Sequence, residues 1–335
     1  MTDIYVTEND SLSAVLKDLS PDSEHPVTIH LAPGTYFEKL TIDKPYLRFV
    51  GEDAENTIIA YDDYAKFLMP DGIKRGTFRS YTVFIDTHDV TLENITIANL
   101  AVPRSRAGQA IALYADGDNL TFLNCRLTGY QDTLFTGPLP PAPREAGGFT
   151  GPKEFAPRIN GRQLYLNCYI CGDIDFIFGS ATAYFKNCQI EVLCDENNSS
   201  PDNLPTVCGY VTAASTPEGQ KYGYIFDSCS ITGPNCPKGS VYLGRPWRNF
   251  AQTVYLNCSM DESIHPAGFH DWGKEDAHDT VFYAEYNSTG TGADTKSRAS
   301  FCRILTDAEA SLYDPADILT SAQAALLVST RRPKQ

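Results

Sequence analysis

The chain has 335 residues, of which 42% are hydrophobic, and a formal net charge of −15. An acidic surface of that size excludes nucleic acid as a partner, because phosphate contacts need basic groups. No run of 18 apolar residues occurs, so neither a membrane span nor a membrane partner is expected.

The N-terminus, Met1-Thr2-Asp3-Ile4-Tyr5, lacks a basic region followed by an apolar core. It reads as a cytoplasmic start, or as a secreted chain whose leader has been removed. Residues 10–19 predict a short helix: Leu12, Val15, Leu16 and Leu19 share one face, with Asp10 or Ser11 as cap. After Pro21 the pattern turns to strands and stays there. Val27–Leu31, Leu40–Ile42, Leu47–Val50 and Thr57–Ala60 are each a few residues long and broken by Gly, Asp, Asn or Pro. Loops are expected at 68–77, at 195–206 and at the Pro/Gly-rich 137–157, which could wall a cleft. Near the end, Thr306-Asp307-Ala308-Glu309 has the form of a capping box. A helical tail over about 306–327 and the helix at 10–19 are expected to cover the open edges of a stack of strands.

That stack is predicted by self-similarity. The segment Leu120-Thr121-Phe122-Leu123-Asn124-Cys125-Arg126-Leu127 recurs in related form from Val90, Leu164, Ala183, Tyr224 and Val254. The cysteines of the repeat, at 125, 168, 188, 229 and 258, are 43, 20, 41 and 29 residues apart. One spacing fits a single coil of a parallel β-helix and two are about double that. A coil cannot bury its own face, so neighbours stack and share one core. Asn or Ser would turn a corner and bond backbone of the next coil, while Cys fills space inside. Stacked equivalent cysteines need not pair, so a disulfide framework is not expected. Cys168 and Cys171 form a lone C-x-x-C with no second pair, which gives no metal site.

Chemistry gathers in four stretches: Gln109–Leu113, Gln131-Asp132-Thr133-Leu134, Asp175-Phe176-Ile177-Phe178-Gly179 and Leu243-Gly244-Arg245-Pro246-Trp247. A carboxylate beside large apolar groups is poorly solvated and needs named partners. Two acids, two amides, a guanidinium and an indole suit acyl transfer. No G-x-S-x-G occurs, and the six histidines lie outside these stretches.

With Gly34-Thr35-Tyr36-Phe37-Glu38 and Tyr283-Ala284-Glu285-Tyr286, these motifs resemble the pectin methylesterase family over roughly residues 20–315, in family order. The resemblance implies an all-β, right-handed parallel β-helix in a single domain, 1–335. It implies hydrolysis of methyl esters of polygalacturonate, or its oligosaccharides, to pectate and methanol, without a cofactor. Residue by residue, Asp175 matches the nucleophile and Asp132 the general acid/base. Gln109 and Gln131 match the oxyanion-holding amides, and Arg245 the partner of the nucleophile. Trp247, Phe178, Phe135 and Ile174 are expected at the sugar, with Phe135 standing where many relatives have Tyr. The 43 residues between Asp132 and Asp175 exceed the usual single coil, so the two acids meet only if 137–157 loops out. A monomer is expected.

Two other readings stand beside this one. A β-helix lyase or glycosidase would act on the same polymer, the first wanting acidic calcium ligands and a basic residue, the second paired acids without the glutamines. A non-catalytic carbohydrate-binding β-helix is the third.

Overall fold

A computed structural model describes residues 2–194 and 207–329. Its strands form three sheets of eleven, seven and eight members, and every pairing between them is parallel. From Val27 to Met260 successive strands of the chain fall in different sheets, so each circuit adds a rung to the stack, while the eleven-stranded sheet gains extra strands at both ends. This is a parallel β-helix.

The repeat explains why the coil turns where it does. Asn94, Asn124, Asn167, Asn187, Ser228, Asn257 and Asn287 all have φ between 50° and 56°. Asn tolerates this left-handed backbone because its short amide bonds locally. The bonds differ from the expectation: the amide of Asn124 donates to Asn94 Oδ1 at 3.0 Å, and that of Asn287 to Asn257 Oδ1 at 2.9 Å. Among the described residues, corner side chains bond one another along Asn94, Asn124 and Asn167 and between Asn257 and Asn287, and Asn94 also reaches Gly51 O at 3.4 Å. The next residue points inward. Cys125, Cys168, Cys188, Cys229 and Cys258 are buried, and each Sγ donates to a carbonyl one coil back, as Cys229 does to Phe185 O at 3.3 Å. All ten cysteines are free.

The spacings 43 and 41 do not mark double coils. Leu120–Leu123 pairs directly with Arg162–Leu166, and Ala183 directly with Tyr224, so each is one coil carrying an insertion. Within the core Phe122, Tyr165, Phe185, Phe226 and Tyr255 stack face to face at 4.5–4.7 Å, one ring per coil.

The ends are built differently from the reading above. A strand, Thr2–Val6, precedes the helix and pairs with Val27–Leu31; its mostly exposed residues gave no period-two signal. Helix Leu12–Lys17 plugs the first coil, burying Leu12 and Leu16 against Leu40 and Ile42. Ser11 caps it, and Glu38 accepts from the backbone of Leu12 and Ser13, satisfying N–H groups that a helix start leaves open. The C-terminal helices do not cover the far edge of the stack. Helices Pro315–Ile318 and Ser321–Ser329 lie along the outer face of the eleven-stranded sheet, where Ile318, Leu319 and Leu327 pack with Leu164, Tyr184, Ile225 and Val254. Apolar side chains on that face needed a cover more than the edge did. The expected loop at 195–206 lies outside the described residues. No described helix is long and apolar enough to cross a membrane.

Candidate active site

The seven-stranded sheet carries the site on its outer face. Its inward row is aliphatic, with Val83, Leu113, Leu134 and Ile177 in register. The row beside it is aromatic: Phe84, Tyr114, Phe135 and Phe178 face outward at the same level of successive strands, followed by Ala213. Phe78, Phe149 and Trp247 close over this row. They form the apolar floor of a cleft of about 230 Å³, which Gln109, Gln131, Asp132, Asp175, Phe178, Arg245 and Trp247 line together.

The two acids meet because the insertion does loop out. Strand Leu134–Thr136 pairs with the strand containing Ile177 and Phe178, in the register Leu134↔Ile177. Two residues back, that register sets Asp132 opposite Asp175, and Asp132 N donates to Ile174 O at 3.1 Å. Both acids have left-handed backbone, φ 67° and 53°. A bend of this kind breaks the strand's alternation and presents the side chain at a corner; non-glycine residues held so are enriched at functional sites. Gly179 and Gly244 allow neighbouring strands to close up. A Cβ on Gly179 would lie 2.1 Å from Thr136 O, and one on Gly244 2.1 Å from Thr212 Oγ1.

Asp175 is held by a two-pronged ion pair, Arg245 Nε to Oδ1 and Nη2 to Oδ2, both 2.7 Å. Both side chains are largely buried. The guanidinium is fixed in its plane by rings on either side, Tyr210 at 3.8 Å and Trp272 at 3.7 Å. Burial pushes the Asp175 carboxyl up, and Arg245 works against it. Asp132 is pushed well above the carboxylate range, first by burial and then by the charges of Asp175 and Asp173, with only a distant pull from Arg245. Of the two carboxyls, Asp132 is the one pushed further toward the protonated form. Neither Gln109 nor Gln131 bonds its side-chain amide to another described residue, so both remain able to donate into the cleft.

Two expected sugar contacts do not line the cleft. Phe135 is fully buried behind Phe78, 5.0 Å away, and Phe178, 4.8 Å away, so it supports the floor without reaching its surface. Ile174 contributes its carbonyl to Asp132; its side chain is outside the cleft. Thr77, Phe78, Gly148, Ala213 and Trp272 do line it and were not anticipated as site residues. They come from loops or from an unremarkable strand, and only the aromatic character of Phe78 and Trp272 offered a signal. Gly148 belongs to 137–157, so that segment is a wall. Phe149 anchors it against Phe78 at 5.7 Å and Trp247 at 6.1 Å, and Arg248 donates to Ala142 O at 2.9 Å.

The family model for pectinesterases matches residues 5–138 and 158–322. The chain belongs to the pectinesterase family. The gap in the match falls on the wall segment, as an insertion should. Pectinesterase QRT1 of Arabidopsis thaliana is 32% identical over 296 residues, which cover 86% of this chain and 68% of that protein. The pectin methylesterase from carrot superposes with a TM-score of 0.79 at 26% identity, covering all of this chain and 98% of that one. A pectin methylesterase solved in complex with a hexasaccharide superposes with a TM-score of 0.75 at 28% identity, covering 96% and 98%. This pectinesterase is accordingly a carboxylic ester hydrolase built on a parallel β-helix.

Proposed function

We propose that this pectinesterase cleaves methyl esters of galacturonate units with Asp175 as nucleophile and Asp132 as general acid and base. The observation that carries the reading is the unequal pair: one carboxyl clamped by Arg245, its neighbour pushed toward the protonated form by burial and by the first, in one cleft. Asp175 attacks the ester carbonyl, and the oxyanion that forms accepts hydrogen bonds from the amides of Gln109 and Gln131. The C–O bond to the methyl group's oxygen breaks, and Asp132 gives its proton to the departing methanol. Asp132 then takes a proton from water, which attacks the acyl carbon and frees Asp175 and the galacturonate product. Trp247 and Phe178 offer flat apolar faces to the sugar rings.

The test is methanol release from esterified pectin, with no new reducing ends and no unsaturated products. Asp175→Asn is the informative variant, because Asn accepts the left-handed backbone at 175 and keeps the shape of the side chain. Methanol release should vanish while circular dichroism stays unchanged. Substantial residual turnover would remove Asp175 from its assigned role.

A further inference from the structure

Of the five cysteines outside the core column, three cluster together. Cys194 follows strand Gln189–Val192, Cys208 precedes strand Gly209–Ala214, and Cys236 sits in the turn after strand Ser230–Thr232. Their Sγ atoms all lie within 4.8 Å of one another. The column cysteines each donate to a carbonyl of the neighbouring coil. Cys194 and Cys208 meet Sγ to Sγ at 2.8 Å, and Cys236, which lies against both, reaches Val192 O at 3.5 Å. Two glycines let the backbones approach here: a Cβ on Gly209 would meet Val192 at 2.5 Å, and one on Gly233 would meet the Cys236 sulfur at 3.0 Å. Cys194 and Cys208 are buried and Cys236 is partly open, so the cluster has one accessible side.

We propose that Cys194, Cys208 and Cys236 form a three-thiolate site for a thiophilic cation, with zinc(II) as its occupant and the fourth position open to water. Soft sulfur donors select such ions over calcium or magnesium. The third sulfur decides for a metal over a disulfide, which would use two cysteines and leave Cys236 idle within reach of both. Around zinc at a Zn–S distance of about 2.3 Å, tetrahedral sulfurs stand roughly 3.8 Å apart, so Cys194 and Cys208 must open by rotation of a side chain. Thiols bind such ions as thiolates, so a proton leaves each sulfur as its bond to the metal forms. The site ties three segments of two successive coils together at the entry to the strand that carries Tyr210, the ring stacked on Arg245.

The experiment uses the full chain, fully reduced and metal-free, titrated with zinc(II) against a chromophoric chelator and with cobalt(II) as a spectroscopic probe. Wild type should take up one equivalent and show the charge-transfer absorption of cobalt–thiolate bonds. Cys171→Ser, a buried cysteine outside the trio, should behave as wild type. Cys194→Ser and Cys236→Ser should each bind at least about tenfold more weakly. No uptake by reduced wild type overturns the proposal, whether or not air oxidation links Cys194 to Cys208 in a peptide map. So does uptake that survives unchanged in both serine variants. Should the variants fail to fold, the wild-type cobalt spectrum alone decides, since absence of thiolate bands sinks the site.

Discussion

At Arg245 a single side chain does three jobs, two of which lysine cannot do. Its fork meets both oxygens of Asp175, its plane fills the slot between Tyr210 and Trp272, and its charge opposes the rise that burial imposes on Asp175. Arg245→Lys loses the second prong and the stacking, so Asp175 swings and its carboxyl rises further. We expect kcat to fall about 100-fold, as misplacement of a reacting group by an ångström does. The acid limb of the pH–rate profile should move to higher pH, because the proposed mechanism needs Asp175 ionised. A drop in kcat with the acid limb unmoved would show that the arginine orients the nucleophile without tuning it. Asp132 gives the opposite kind of test. Its folded pKa lies above its unfolded value, so its stabilising contribution is complete below the unfolded value, about 3.9, and is lost as pH rises through the folded one. At neutral pH the buried acid is therefore a burden. Asp132→Asn should melt a few degrees higher than wild type at pH 7, lose that advantage near pH 3.5, and release no methanol. An equal melting difference at both pH values would place the gain elsewhere.

Elements of this fold are strands too short to be persuasive singly, and what made them legible was their repetition. The Asn-Cys pair at four of the corners marked the coil, since a left-handed turn favours Asn and a crowded interior favours so small a side chain beside it. The strand Thr2–Val6 was hard to see because only Ile4 and Val6 turn toward the core and its other residues are exposed. The C-terminal helices were legible from Thr306 and Glu309, but their resting place was not, because it depends on Ile225, Val254 and Leu164 meeting across three coils. Likewise the four motifs named seven residues that line the cleft, while Phe78 and Trp272 arrive from loops whose path no periodicity encodes. The cysteine trio was hidden for the same reason: spacing drew attention to Cys168 and Cys171, whereas the convergence at 194, 208 and 236 is a product of coil stacking. The corner ladder can be tested as an element. Asn124→Ala removes bonds to two neighbouring rungs and puts alanine at φ 51°. A loss of about 2 kcal/mol in urea unfolding is expected, and Asn124→Gly, free of the backbone strain, should lose less. Equal losses would mean the strain contributes nothing. The wall segment gives a second test. Phe149→Ala unpins 137–157 from Phe78 and Trp247 but leaves the strand pairing beneath intact. KM should rise about tenfold, on the scale of a lost aromatic contact of 1.4 kcal/mol, with kcat nearly unchanged. A matching fall in kcat would mean that the wall also orders the reacting groups.

Across the whole molecule, charge works in two directions at two distances. The net −15 repels an anionic product from afar. Beside the cleft the sign reverses: Arg248 donates to Trp247 O at 3.0 Å, Lys274 donates to Trp247 O at 3.3 Å, and Arg144 is close enough to bear on both. Burial and these like charges bring Lys274 down to about 7. At an ionic strength of about 0.01 M the screening length is roughly 30 Å, so the whole acidic surface is felt; at about 0.1 M it is roughly 10 Å, and only the cations near Trp247 remain in range. Inhibition by demethylated oligogalacturonate should therefore tighten between those two salt concentrations, as repulsion is screened first. It should weaken again toward 1 M, where the screening length of about 3 Å reaches the cleft itself. The second limb should shrink above pH 7, as Lys274 loses its proton. Inhibition that weakens steadily from the lowest salt upward would mean that the cations beside Trp247 govern product binding at every distance, and that the surplus of acid elsewhere has no hold on it.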